Sequence, residues 1–440
     1  METPVADFVQ QYAASGALRL HMPGHKGVGT LGCEALDITE IAGADALYEA
    51  SGILDESERN AAALFGSGRT LYSTEGSSQC IRAMLYLAVT CRPAGTAPVI
   101  VAARNVHKAF VYAAALCGAE VVWLWPDAPV SSLCACPVTP AALERALCAS
   151  PAPPCAVYVT SPDYLGNLQD LPALAAVCRR HGLPLLVDNA HGAYLRFCAG
   201  QRHPLQCGAA ICCDSAHKTL PVLTGGAYLH IARSAPDGFS EGAKAAMALF
   251  GSTSPSYLTL ASLDLCNRRL AEDYPALLSE AARQALALRH TLAAAGWQTE
   301  AGDPLHLTLR GDGLALSQHL RAANIEPEYA DRDTLVLLLS PEICAEAAAR
   351  VPAALGRCNV PSAPRRALPC ARGETVMPPR AALFAPHETI PAARASGRIC
   401  AAPTVACPPA IPIAVSGERI GADALFLFDY YGIRTVEVLR

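Results

Sequence analysis

Lysine is scarce in this chain of 440 residues. It stands only at Lys26, Lys108, Lys218 and Lys244, so 30 of the 34 basic residues are arginine. Three of the four directly follow a histidine, in "HMPGHK", "RNVHK" and "SAHK". Arginine serves solubility but stays charged, whereas a lysine amine can shed its proton and attack a carbonyl. The stretch "CCDSAHKTLPVLTGG" (212–226) places His217-Lys218 between an apolar run and a glycine pair. A half-buried lysine there would have a depressed pKa and nucleophilic character; read blandly, it is a strand-end lysine whose stem lies along apolar surface.

Two further elements precede it. "STEGSSQ" leads from an apolar run into a helical one through Gly76, Ser77 and Ser78. A helix start of small residues with exposed N–H groups suits a phosphate; it also suits an ordinary serine N-cap. "LLVDNAHGAY" closes a buried run with Asp188. An aspartate there needs a partner, either as a satisfied turn residue or as the group that keeps a ring nitrogen protonated. Phosphate loop, aspartate and lysine are together the parts that hold pyridoxal phosphate.

The elements that must position these groups form an alternating pattern. Strands are expected at 70–74, 98–103, 120–125, 155–160, 184–189, 209–214 and 227–232, and helices at 77–89, 107–117, 140–149 and 171–181. Near-continuous apolar strands separated by helices predict a mostly parallel sheet covered on both faces, with ligands at the carboxyl ends of its strands. The last two strands have no helix between them and are expected to run antiparallel around Lys218. Residues 257–296 read as a long helical stretch interrupted at Pro275. Two strand–helix units follow, then a proline- and arginine-rich connector at 360–373 and a final strand in "RTVEVL". The division expected is an N-terminal arm (1–59), a large cofactor-binding domain (60–256), a linking helix with a small α/β domain (257–365) and a C-terminal segment (366–440).

Bulk properties narrow the class. A hydrophobic content of 52% with 17% charged residues calls for a large buried core. A net charge of −5 without a basic cluster gives no case for nucleic acid. The apolar runs are too short for a bilayer, and the N-terminus lacks the order of a signal peptide, so a cytoplasmic protein is expected. The 19 cysteines include no C-x-x-C pair and lie mostly in apolar runs, which predicts reduced core thiols and no metal site.

The motifs "HMPGHKG" (21–27), "RNVHKAF" (104–110), "VDNAHGAY" (187–194), "DSAHKTLPVLTGGAYLH" (214–230), "STSPSYLTLASLD" (252–264) and "PPAIPIAVSGERI" (408–420) resemble those of the ornithine/lysine/arginine decarboxylase family, in its order and over nearly the whole chain. The resemblance implies an aminotransferase-like, fold type I α/β domain using pyridoxal phosphate, with smaller C-terminal α/β structure. It implies that Lys218 carries the cofactor, Asp188 pairs with its ring nitrogen and His107 stacks on the ring. Gly76, Ser77, Ser78, His191, Ser215 and His217 would complete the cofactor contacts. It further implies Glu418, His21 and Lys26 around an amino acid substrate, basic in type, and a homodimer or larger assembly with sites between protomers. Lys218 and His217 both remain candidates for the proton donor to Cα. Asn189, Glu75, Gly225 and Ser416 stand where the family usually has an acidic residue, asparagine, a polar residue and proline. An aminotransferase or carbon–sulfur lyase is the rival reading, and a non-catalytic relative a third.

Overall fold

The computed structural model describes residues 1–300, 302–358, 367–406 and 409–440. Residues 360–366 of the connector, the expected boundary at 365/366 and Pro408 of "PPAIPIAVSGERI" lie outside the described residues. Two compact units are present, each assembled from two stretches of chain: Met1–Cys91 with Pro184–Leu277, and Arg92–Leu183 with Leu278–Arg440.

All seven expected strands form: β1 (Arg69–Ser73), β2 (Val99–Ala103), β3 (Glu120–Leu124), β4 (Ala156–Thr160), β5 (Leu185–Asp188), β6 (Ile211–Asp214) and β7 (Ala227–Ile231). Sheet order is β1-β7-β6-β5 within the first unit and β4-β2-β3 within the second. Strands β2, β3 and β4 pair in parallel, as do β5 and β6. β7 runs antiparallel to both β6 and β1, the excursion expected around Lys218. β5, β6 and β7 are buried at every position, which matches their continuous apolar sequence and helical cover.

The helices before the C-terminal region are α1 (Pro4–Ala14), α2 (Ile53–Phe65), α3 (Ser77–Thr90), α4 (Lys108–Cys117), α5 (Pro140–Ala149), α6 (Leu171–Arg180), α7 (Ala216–Thr219), α8 (Phe239–Leu249), α9 (Tyr257–Ala271) and α10 (Tyr274–Ala294). α3 packs on β6 and β7 and against α8, and Cys80, Ile81, Met84, Leu85 and Leu87 are all buried. Pro275 falls in the first turn of α10, where a missing N–H costs nothing, and the chain breaks just before it. In the second unit β8 (His306–Arg310), β9 (Tyr329–Ala330) and β10 (Thr334–Leu338) form a three-stranded antiparallel sheet. The strand expected in "RTVEVL" pairs Thr435–Leu439 with His387–Pro391. The described cysteines are free, and burial raises the thiol pKa of many of them, Cys136 to about 11. No described helix is long and apolar enough to cross a membrane.

The N-terminal helix is tied down by a buried carboxylate. Asp264 of α9 accepts from the backbone N–H groups of Val5 and Ala6 at 2.9 and 3.0 Å through Oδ2, and from the Ser57 hydroxyl through Oδ1. The first turn of α1 thus obtains from a distant residue the cap that its own Thr3 does not provide. Asp264→Ala is expected to lower stability by about 2 kcal/mol. Urea unfolding followed by circular dichroism would check this, and an unchanged midpoint would contradict it.

Candidate active site

Lys218 reaches its place through a very short element. β6 ends at Asp214, and after Ser215 the four-residue helix α7 carries His217 and Lys218. Four residues cannot hold a helix by themselves. The turn is held from outside by the His217 N–H, which donates to Gly226 O at 3.1 Å, and an internal bond runs from the Leu220 N–H to Ala216 O at 2.8 Å.

The half-buried Lys218 amine lies 3.0 Å from Nε2 of the buried His191. An ammonium group only donates, so a charged Lys218 needs His191 Nε2 as acceptor, and a neutral one can accept from it. One proton can be held on either side of this contact. Asp188, 3% exposed at the end of β5, accepts through Oδ1 from the Ala190 N–H at 3.1 Å and from the Cys213 thiol at 3.7 Å. His217 sits 2.9 Å from the Gly226 carbonyl through Nδ1, which assigns the proton to that nitrogen. Burial, reinforced by the Lys218 charge, lowers its pKa and favours the neutral ring.

The start of α3 is not a serine N-cap. The capping residue is Gly76, at φ +71°, and no side chain caps the first turn that begins with Ser77 and Ser78. The edge of the His217 ring adjoins Gly76. Gly225, where the family usually has a polar residue, has φ +96°, and a Cβ there would come within 2.5 Å of Thr74 O. Glycine permits this approach, and the Gly76 N–H donates to Gly225 O at 2.7 Å. Glu75 turns away from the helix start: its carboxylate accepts the Ser252 N–H at the head of "STSPSY". Asn189 donates to the Asp214 carboxylate at 2.7 Å, so the carboxylate of this pair lies on β6.

These residues suit pyridoxal phosphate. The Ser215 hydroxyl is buried without a hydrogen-bond partner, which a phosphate oxygen would correct, and the uncapped first turn of α3 offers N–H donors to the same group. Lys218 would hold the aldehyde carbon, and Asp188 the ring nitrogen.

The remaining expected residues have partners of their own. In the arm, His21 Nε2 contacts the Tyr12 hydroxyl at 2.6 Å and Lys26 donates to His21 O at 2.5 Å. Those partners belong to the arm itself, where Lys26 acts as a loop charge on a backbone carbonyl. Lys244 is structural, donating to Leu47 O at 2.6 Å and pairing with Glu58 at 2.7 Å. In the second unit His107 caps α4, its Nδ1 accepting from the Ala109 N–H at 3.2 Å.

Glu418, also in the second unit, is no solvated turn residue. It is 2% exposed, and its Oε2 accepts from Arg104 Nη2 at 3.3 Å and from the Val415 N–H at 3.0 Å. Arg104 further donates to Pro412 O and Ile413 O, and its guanidinium lies 5.0 and 5.1 Å from the ring centres of Trp123 and Trp125. Burial raises the Glu418 pKa, and Arg104 opposes the rise. The sequence assigns Arg104, in "RNVHKAF", no role; its signal is a charged residue closing the apolar run "VIVAA" and a "WLW" to stack on it.

A family model for the Orn/Lys/Arg decarboxylase major domain matches residues 3–310. Bacillus subtilis YaaO, an uncharacterized protein, is 32% identical over 460 residues, spanning 97% of this chain and 93% of its own. Bacillus subtilis arginine decarboxylase is 29% identical over 457 residues, spanning 95% and 91%. Among solved structures, Francisella novicida lysine decarboxylase LdcF superposes with a TM-score of 0.81 at 16% identity, over all of this chain and 81% of that one. Sphingomonas wittichii serine palmitoyltransferase gives 0.58 at 15% identity, over 80% and 84%. The fold is thus that of the fold type I, pyridoxal-phosphate-dependent enzymes. Within that class the chain belongs to the Orn/Lys/Arg decarboxylase family.

Removing one member of a buried ion pair strands the other. Arg104→Met is therefore expected to cost about 3–5 kcal/mol, with much of it recovered in Arg104→Met/Glu418→Gln. Denaturant titration of the three proteins would measure it. A cost below about 1 kcal/mol would mean that Glu418 is solvated after all.

Proposed function

We propose that the protein decarboxylates a basic amino acid, releasing carbon dioxide and the corresponding amine, with pyridoxal phosphate joined to Lys218. The observation that carries this reading is the contact between the Lys218 amine and His191, three residues beyond the unpartnered Ser215 hydroxyl. When bound, the cofactor supplies an aldehyde for the amine and a conjugated ring that accepts the electron pair left by the departing carboxylate.

The chain's own groups then have distinct tasks. Asp188, a buried carboxylate, favours a protonated ring nitrogen. Ser215 and the first turn of α3 bind the phosphate. His191 takes a proton from Nζ of Lys218 or returns it, which makes Lys218 the better-placed donor to Cα. His217 Nδ1 is engaged by Gly226 O, and its neutral ring suits it to packing beside Gly76. The family resemblance assigns His107 to the face of the ring and Glu418 to the distal cation of the substrate; Glu418 Oε1 has no hydrogen bond of its own.

A second copy of the chain is proposed to complete the assembly. Leu18, Leu20, Met22, Val28 and Leu31 are each 65–84% exposed along the arm, an apolar run that self-association would cover. Leu18→Asp/Leu20→Asp is expected to shift the sedimentation coefficient toward that of a monomer, and an unchanged value would argue against this surface.

The reaction itself is tested by incubating holoprotein with arginine, lysine, ornithine and neutral amino acids while quantifying carbon dioxide and amine. Equal yields of the two from a basic substrate are expected. Accumulation of keto acids alone would assign the protein to transamination instead.

A further inference from the structure

Behind Lys218 lies a charged cluster that the proposed chemistry does not use. Asp214 ends β6, four residues before Lys218. Its Oδ1 accepts from Asn189 Nδ2 at 2.7 Å, and its Oδ2 accepts from His203 Nε2 at 3.0 Å with His230 Nε2 3.3 Å away. The side chains of Asp214, His203 and His230 are completely excluded from solvent. The Phe65 ring packs against both imidazoles, with centroids 5.6 and 4.2 Å apart, and His230 Nδ1 contacts the Thr70 hydroxyl at 2.8 Å. A carboxylate in such surroundings persists only with a proton donor facing it. Burial alone would raise its pKa, yet the two rings hold the carboxyl well below the usual range.

The partners of the two oxygens give the cluster its meaning. Asn189 directly follows Asp188 at the end of β5, and its backbone N–H donates to Cys213 O at 3.0 Å. The Asp214 side chain therefore joins the ends of the two strands that carry the ring-nitrogen partner and the cofactor lysine. Helix α7 is too short to set its own position, so Lys218 takes it from the end of β6 on one side and from the His217 contacts with Gly226 O on the other.

We propose that Asp214 is a positioning residue: its buried carboxylate, held by His203 and Asn189, fixes the end of β6 against the end of β5 and so sets Lys218 relative to Asp188. This rests on the reading that pyridoxal phosphate is joined to Lys218. His203, Asp214 and His230 also present one donor atom each within 4.8 Å, a spacing that a transition metal can use. The contact between His203 and Asp214 requires only a proton.

The test compares wild-type protein with Asp214→Ala and Asp214→Asn in four measurements: metal content, titration of apoprotein with pyridoxal phosphate, visible circular dichroism per bound cofactor, and thermal midpoint. Asp214→Ala is expected to bind the cofactor at least about tenfold more weakly, with an altered visible dichroism, because a site left loose by its supporting residues loses alignment. Asp214→Asn keeps an acceptor for Asn189 and turns an amide N–H toward a neutral His203. It is expected to restore most of the affinity and the dichroism of the wild type.

A lowered midpoint in Asp214→Ala with unchanged affinity and dichroism would overturn the proposal, leaving Asp214 a purely structural residue. So would Asp214→Asn as impaired as Asp214→Ala, or a stoichiometric metal in the wild type. If Asp214→Ala does not fold, Asn189→Ala removes the Oδ1 link alone; a smaller loss in the same direction is expected, and no loss overturns the proposal. Wild-type protein that forms no Lys218-bound chromophore would refute the reading of the site before any variant is made, and this inference with it.

Discussion

A lysine amine placed among buried strand ends is stable only if something nearby shares its proton. Here that partner is the His191 ring, 3.0 Å from Nζ. His191 and Asp188 are themselves withdrawn from solvent, at 5% and 3% exposed, while Lys218 is half-buried. The same limit governs the rest of the site: the buried carboxylates at the ends of β5 and β6 face named partners, and the Ser215 hydroxyl is among the buried polar groups without one. A phosphate ester is the kind of ligand that completes such an arrangement, since it brings acceptors to donors that the protein leaves unused.

Much of this architecture was legible in the sequence. Most of the seven strands are short, near-continuously apolar and separated by helices, and burial on both faces produces that pattern, whereas β3 is buried only at Leu124. The reversal of β7 fits the connection from β6, which holds only the four-residue α7, too short for a parallel crossover. Asp188 and the Gly76–Ser78 turn were conspicuous in the sequence because they stand at a strand end and a helix start, where local geometry sets the side chain. The helix over 53–65 went unread because its apolar positions are interleaved with "DESERN", which reads as a polar segment until packing selects its buried face.

What could not be read was the pairing of residues that no periodicity connects. His203 lies in a 3₁₀ region and His230 on β7, yet both imidazoles face Asp214. Nothing in the spacing of "QRHPLQC" or "AYLHI" announces that meeting. Glu75 is the opposite case: a carboxylate beside a bound phosphate would be unfavourable, and here the side chain is directed to the Ser252 N–H. Glu418 joins Arg104 across more than three hundred residues, a pairing that burial explains and sequence separation conceals.

The central claim is a covalent one, and it has a direct measurement. Protein saturated with pyridoxal phosphate would be reduced with borohydride, digested and mapped by mass spectrometry. The account predicts a phosphopyridoxyl group on Lys218 and on no other of the four lysines. Label on Lys26, Lys108 or Lys244 instead, or none at all, would contradict it.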